Sequence, residues 1–378
     1  MTATRDDRPE GVQPLPEISR LPRYRPGKPV IARPGLVGFK LSSNESPFAP
    51  LPAVIEAMRH ADRLNVYPDP TASPLRDRLA DLLGVRASNI VAGTGSLAVL
   101  NDVLQVFAGR RADGTVDEVV FAWRSFESYP ISVGQTGARG VPVALRPDMT
   151  HDLEGMLAAV TERTRVLILC TPNNPTGPAL RHTEVRDFLA RLPSNVLVVI
   201  DEAYVEYVRG EDRLDAMALL REFANVLVLR TFSKAHGLAS LRVGYCIAHE
   251  HIIRHLEAVA VPFSVPHAAQ MAAIASLEAL PEVLERVEQT VQEREWFRQE
   301  LANLGLRVPD AQGNFVWLPL GGRSAEFTAI CNAQAVSVRQ FGAEGVRVSI
   351  GLREAHERVL DVTRDLVASS AKESNDVG

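Results

Sequence analysis

Cysteine is scarce, with three in 378 residues. That is too few for a disulfide framework. Cys170 and Cys246 sit in the apolar runs LILC and GYCIA and Cys331 in AICNAQA, so all three read as reduced packing residues. Long apolar runs are missing as well. No stretch approaches the roughly 18 residues that span a bilayer, and no membrane partner is expected. The first residues, MTATRDDRPEGVQ, carry acids and prolines but no apolar segment, unlike a secretory signal, so a cytoplasmic location is expected. Positive charge is not in excess: 41 Lys+Arg against 46 Asp+Glu leave a net −5, which argues against nucleic acid as a partner. The histidines are scattered, and the i,i+4 pair His251/His255 in HIIRH lacks the glutamate of a zinc hydrolase, so no metal is expected. There is no G-x-S-x-G elbow, no Walker lysine and no G-x-G-x-x-G.

What is present is a globular composition, 46% hydrophobic and 23% charged. VDEVVFAW, TRVLILC, NVLVVID, NVLVLRTF and RVGYCIAH are short, β-branched and nearly unbroken in apolarity, as strands buried on both faces should be. Helical patterns such as SPLRDRLADLLG, SLAVLNDVLQVFAG, HTEVRDFLARL and RLDAMALLREFA separate them. The alternation predicts an α/β fold, a large domain with a mostly parallel sheet sandwiched by helices. From about Pro266 a long helix-rich run leads to NFVWLPL and to strands around SVRQF and GVRVSIG, which predicts a smaller α+β domain. The expected division is a tail and arm over 1–35, a large domain over 36–265 whose first part, about 36–55, packs on the small domain, a small domain over 266–370, and a frayed tail over 371–378.

Four segments can carry chemistry. In TFSKAHGLASLRVGY, Lys234 follows a buried strand, where lost solvation lowers its pKa and makes it an amine nucleophile toward an aldehyde. Thr231, Ser233 and Arg242 beside it suit a phosphate; a lysine that snorkels to solvent is the competing reading. Asp201 and Tyr204 end the strand NVLVVI, where ligands of parallel sheets gather, and Asp201 could pair with a protonated ring nitrogen or simply cap a helix. Asn174 lies in the turn TPNNPTGP, from which its amide can reach the same ligand. Gly95, Ser96 and Leu97 open a helix in VAGTGSLAVL, and free N–H groups there can bind an anion. His236, close to Lys234, reads equally as catalytic or as a helix-surface residue.

Taken together the four describe one ligand with a phosphate, a protonatable ring nitrogen, a phenolic oxygen and an aldehyde. That ligand is pyridoxal 5′-phosphate.

From about residue 20 to 365 the chain resembles fold-type I pyridoxal-phosphate-dependent aminotransferases, and among them the histidinol-phosphate aminotransferase group. The motifs are LSSNESPFAPLP, NVYPDP, GTGS, FAWRSFESYP, PNNPTG, DEAYVEY, RTFSKAHGLASLRVGY, NFVWLPL and GVRVSIGLREA. FAWRSFESYP and NFVWLPL are most similar to the actinobacterial aromatic amino acid (phenylalanine) aminotransferases. The resemblance implies that Lys234 is the Schiff-base lysine, that Asp201 pairs with the ring nitrogen, and that Asn174 and Tyr204 bond the 3′ oxygen. It implies that Phe126 stacks on the ring and that Ser96, Thr231, Ser233 and Arg242 form the phosphate cup. It also implies a homodimer in which Tyr67 reaches the phosphate of the neighbouring subunit, with Arg347 on the substrate carboxylate and Arg339 and Asn44 near the substrate. His236 and Ser240 depart from the relatives' pattern, where an aromatic residue and a glycine are usual.

The implied activity is a ping-pong transamination between an aromatic L-amino acid and a 2-oxo acid. Histidinol phosphate, or an unusual donor of a specialised pathway, are the alternatives. A decarboxylase or lyase would share Lys234 and Asp201. A ligand-sensing regulator would need a DNA-binding domain, for which the first 35 residues are too short.

Overall fold

The computed structural model describes residues 11–375. Strand β1 is Phe39–Leu41, followed by β2 Ile90–Gly93, β3 Glu118–Trp123, β4 Arg139–Ala144, β5 Thr164–Cys170, β6 Leu197–Asp201, β7 Val226–Thr231 and β8 Gly244–Ala248. The last three are β9 Phe315–Leu318, β10 Val336–Phe341 and β11 Gly345–Ser349. Seven of them form one sheet in the order β2-β8-β7-β6-β5-β3-β4, parallel throughout except for β8, which runs against both neighbours. The other four form a second sheet, β1-β10-β11-β9. The α/β architecture with a mostly parallel sheet is thus as expected.

The alternation of side chains along each strand builds two cores from the large sheet. Leu167, Leu169, Val198, Ile200, Val226 and Val228 face one layer of helices. Val166, Ile168, Leu197, Val199, Leu227 and Leu229 face the other. With both faces covered, these strands have no polar side to show, which is why they read as unbroken apolar runs. A third core lies on the four-stranded sheet, around Phe297, Phe327, Val346 and Val348.

Three details differ from the sequence reading. The helix-rich run from Pro266 is two helices, His267–Glu278 and Leu280–Asn303. Pro281 has no N–H to donate and so begins the second helix rather than sitting inside one. Ala269, Ala272 and Ala273 of the first helix lie in a core of the large sheet. The C-terminal helix Arg353–Asn375 continues through residues 371–375, where a frayed tail was expected. Along the arm, Ser42 and Ser337 both donate to the Lys28 carbonyl, and Leu21 packs against Gly134. Residues 1–10 of the tail and 376–378 lie outside the described residues. Among the described residues no helix is long and apolar enough to cross a membrane.

One glycine holds sheet and helix together at the point where the site forms. A β-carbon on Gly244, the first residue of β8, would stand 2.2 Å from the Ser96 backbone nitrogen. Gly244→Ala is therefore expected to push the start of helix Ser96–Phe107 away from the sheet and to cost about 1–3 kcal/mol. A thermal-unfolding midpoint no lower than that of the wild type would contradict this packing.

Candidate active site

The parallel strands of the large sheet end on one rim, and the loops leaving them enclose a cavity of about 500 Å³. Asp201 closes β6 beside Cys170 of β5 and is 7% exposed. Its Oδ2 accepts from the Tyr129 hydroxyl at 2.7 Å and its Oδ1 from the Ala203 N–H at 3.2 Å. The latter is a turn at the strand end, in place of an α-helix cap. Burial raises the Asp201 carboxyl's pKa, and the two donors oppose the rise. A cation brought opposite would favour the ionised carboxylate further.

Lys234 follows β7 and turns its Nζ to the carbonyls of Ser43 and Asn44, each at 3.3 Å. Burial, with Arg347 and Arg242 nearby and Glu45 opposing, brings its ammonium down to about 7. Lys234 also lies 5.6 Å from the centre of the Tyr204 ring. The Tyr204 hydroxyl accepts from the Asn44 amide at 3.1 Å, and burial pushes its phenol pKa up. Asn44 adopts the left-handed region, φ 53°, and is pinned there by Ser349, whose hydroxyl both donates to its side chain and accepts from its N–H at 2.8 Å.

A second cluster lies along β7, β8 and the helix Ser96–Phe107. Gly95 enters that helix with φ +94°, and a β-carbon there would meet the Arg242 guanidinium at 2.7 Å. Arg242 donates to the Ser233 hydroxyl at 3.3 Å, and the Ser233 N–H donates to Thr231 Oγ1 at 3.1 Å. Hydroxyls, a guanidinium and a helix start are thus gathered into a cradle suited to a phosphate.

On the opposite wall Arg347 of β11 is buried. It donates to Asn174 Oδ1 and, at 3.0 Å, to the Ser42 carbonyl, while its buried Nε has no partner. A carboxylate is the natural partner for that donor. Phe126 lines the cavity edge-on to Tyr129.

Of the residues expected from sequence, Asn44, Ser96, Leu97, Phe126, Asn174, Asp201, Tyr204, Thr231, Ser233, Lys234, Arg242, Arg339 and Arg347 line this one cavity. Gly95 supports it from behind. Tyr67 is not among them: it is 80% exposed, its ring 4.8 Å from that of Phe263. His236 is neither a helix-surface residue nor a cavity residue. Its Nδ1 pairs with Ser276 at 2.8 Å, its ring packs on Phe232, and burial holds its pKa down to about 4. Ser240 is exposed. Tyr129, Glu127, Tyr24 and Phe341 also belong to the site and escaped the sequence reading. The aromatic-rich motif FAWRSFESYP was the available signal for the first two.

A lysine amine that titrates near 7 is half neutral at neutral pH, whereas an ordinary lysine needs a pH near 10.4. Trapping of a small aldehyde on Lys234 by borohydride, in protein freed of bound aldehydes, is expected to rise through about pH 7 and then level off. Peptide mass spectrometry reads it; labelling that climbs only toward pH 10 would contradict the burial of Lys234.

The family described as aminotransferase class I and II matches residues 37–362. The chain is 48% identical over 348 residues to an aromatic amino acid aminotransferase of Streptomyces avermitilis, covering 92% of this chain and 95% of that protein. It is 49% identical over 348 residues to one of Thermobifida fusca, with the same coverage. Among solved structures it is similar to the histidinol-phosphate aminotransferase from Sinorhizobium meliloti in complex with pyridoxal 5′-phosphate, with TM-score 0.79, 26% identity, and 88% and 92% of the two chains covered. A Thermus thermophilus aspartate aminotransferase shares the fold at TM-score 0.76 and 24% identity, covering 88% and 92% of the two chains.

Proposed function

We propose that this chain, which belongs to the class I and II aminotransferase family, moves an amino group between an aromatic L-amino acid and a 2-oxo acid with pyridoxal 5′-phosphate as its cofactor. The observation that carries the reading is the pairing, in one buried cavity, of a lysine amine near neutrality with an arginine whose Nε lacks a partner. The first suits an aldehyde and a proton in transit; the second suits the carboxylate of an amino or oxo acid. The aromatic preference is supported by the relatives' names and their 48–49% identity over 92% of this chain.

The residues present fit the cofactor. Ser96, Thr231, Ser233 and Arg242 would hold its phosphate, Asp201 its ring nitrogen, Asn174 and Tyr204 its ring oxygen, and Phe126 its face. When bound, pyridoxal phosphate supplies an aldehyde for the amine and a ring that accepts the electron pair released as the α-proton leaves. Asp201 favours the protonated ring nitrogen, because burial makes a lone carboxylate there costly and a cation opposite relieves that cost. The Lys234 amine, once free, holds and moves the proton at Nζ. Arg347 orients the substrate by its carboxylate and so sets which bond to Cα faces Lys234.

The active form is read as a cytoplasmic homodimer. Leu64, Tyr67, Val261 and Phe263 are exposed, Leu64 at 87% and Tyr67 at 80%, and an apolar surface of this kind favours a second copy of the chain. There Tyr67 would face the neighbouring subunit's cavity.

A panel of single donors on cofactor-loaded protein tests the assignment. Phenylalanine or tyrosine should convert the cofactor rapidly, as loss of its aldehyde-derived absorption, with histidinol phosphate slower by about two orders of magnitude. Preference for histidinol phosphate would replace the aromatic reading. Lys234→Ala should abolish turnover and Asp201→Asn should lower kcat by about 100-fold or more; near-full activity in either would end the reading.

A further inference from the structure

The cavity is lined by four basic side chains, Lys234, Arg242, Arg339 and Arg347, and by two acidic ones, Asp201 and Glu127. Lys234, Arg242, Arg347 and Asp201 have roles in the proposed transamination. Arg339 and Glu127 remain, and they hold each other: Arg339 Nη2 donates to Glu127 Oε2 at 2.5 Å. The rest of that guanidinium is engaged as well. It donates to the Arg25 carbonyl and, at 2.9 Å, to that of Pro26, and it lies 5.4 Å from the centre of the Phe341 ring.

The register of the small sheet explains why Arg339 needs a counter-charge. Antiparallel pairing of β10 with β11 sets Arg339 directly opposite Arg347. Like charges across a strand pair repel. Glu127 comes from elsewhere, from the residue before helix Ser128–Gln135 that follows β3, and so the ion pair spans the two sheets. It removes one unit of positive charge from the wall beside the carboxylate seat.

Resting on the aromatic reading, we propose that Glu127 is a specificity-determining residue: by occupying Arg339 it keeps the side-chain wall of the cavity neutral. An aromatic side chain then enters with the pair closed. A side chain that ends in a carboxylate or a phosphate binds at Arg339 only by displacing Glu127, whose freed carboxylate faces the incoming anion. The repulsion and the lost ion pair fall on anionic substrates alone, which is how a repulsive group creates a preference.

Calorimetry on the cofactor-loaded enzyme tests this with glutarate and 3-phenylpropionate, the unreactive deaminated counterparts of glutamate and phenylalanine. Glu127→Gln keeps the length of the side chain and one acceptor oxygen but removes the charge. It is expected to bind glutarate about tenfold more tightly than the wild type, the worth of one charged hydrogen bond, and 3-phenylpropionate within about twofold. No gain for glutarate overturns the proposal. So does a gain that persists in the double variant E127Q/R339M, since the gain must pass through Arg339. Should E127Q fail to fold, Arg339→Met addresses the same pair. It should lose about tenfold for glutarate and keep 3-phenylpropionate, and an unchanged glutarate affinity would overturn the proposal. Failure of the aromatic reading shows separately, as a wild type that turns over neither phenylalanine nor tyrosine, and it leaves the glutarate comparison intact.

Discussion

A primary ammonium buried without a carboxylate of its own is the constraint around which this molecule is arranged. Lys234 meets two backbone carbonyls instead of an acid, and two arginines stand nearby. Burial without a counter-charge disfavours the ammonium and brings its pKa down to about 7, so the amine is half neutral at neutral pH. Much of the neighbourhood serves to hold the acceptors in place. Asn44 takes a backbone conformation that L side chains seldom adopt, its carbonyl receives both Lys234 and Asn314, and its amide is divided between Ser349 and Tyr204. Residues near position 44, 204, 234, 314 and 349 thus share one hydrogen-bond network, and strain at one of them is felt at the amine.

The central strands were legible because burial on both faces removes every polar alternation from β3, β5, β6 and β7. The edges were not. β4 carries Arg139, Gly140 and Pro142, with exposed and half-buried side chains in turn, and β2 is four residues long beside a glycine-rich corner. β1, three residues FKL, exists only because β10 lies beside it. None of the three contains enough local information to declare itself, since their partners lie up to about 300 residues away in the chain.

Within the site, the residues on strand ends and on the lysine loop were recoverable, because position relative to a strand already says where a side chain will point. Tyr129 and Glu127 were not, although both stand in the motif FAWRSFESYP. Each acts through a partner far off in sequence, Asp201 for one and Arg339 for the other. For His236, proximity to Lys234 along the chain left a catalytic and a helix-surface role equally open, while its ring turns to Phe232 and Ser276 and serves neither.

The single reversed strand sets a timetable for assembly. Among the described residues β8 is the only strand paired with β2, so the strand that delivers Ser96 lacks that neighbour until residues 244–248 have been made. Hairpin pairing of β7 with β8 closes a short loop, whereas β2 with β8 closes one of more than 150 residues, and the second closure is the slower. The phosphate cradle draws on both. It cannot exist in a chain still emerging from the ribosome at its midpoint, and a ligand held there acts as a late lock on a sheet that is otherwise complete, stabilising the finished protein by mass action while leaving the nascent one untouched.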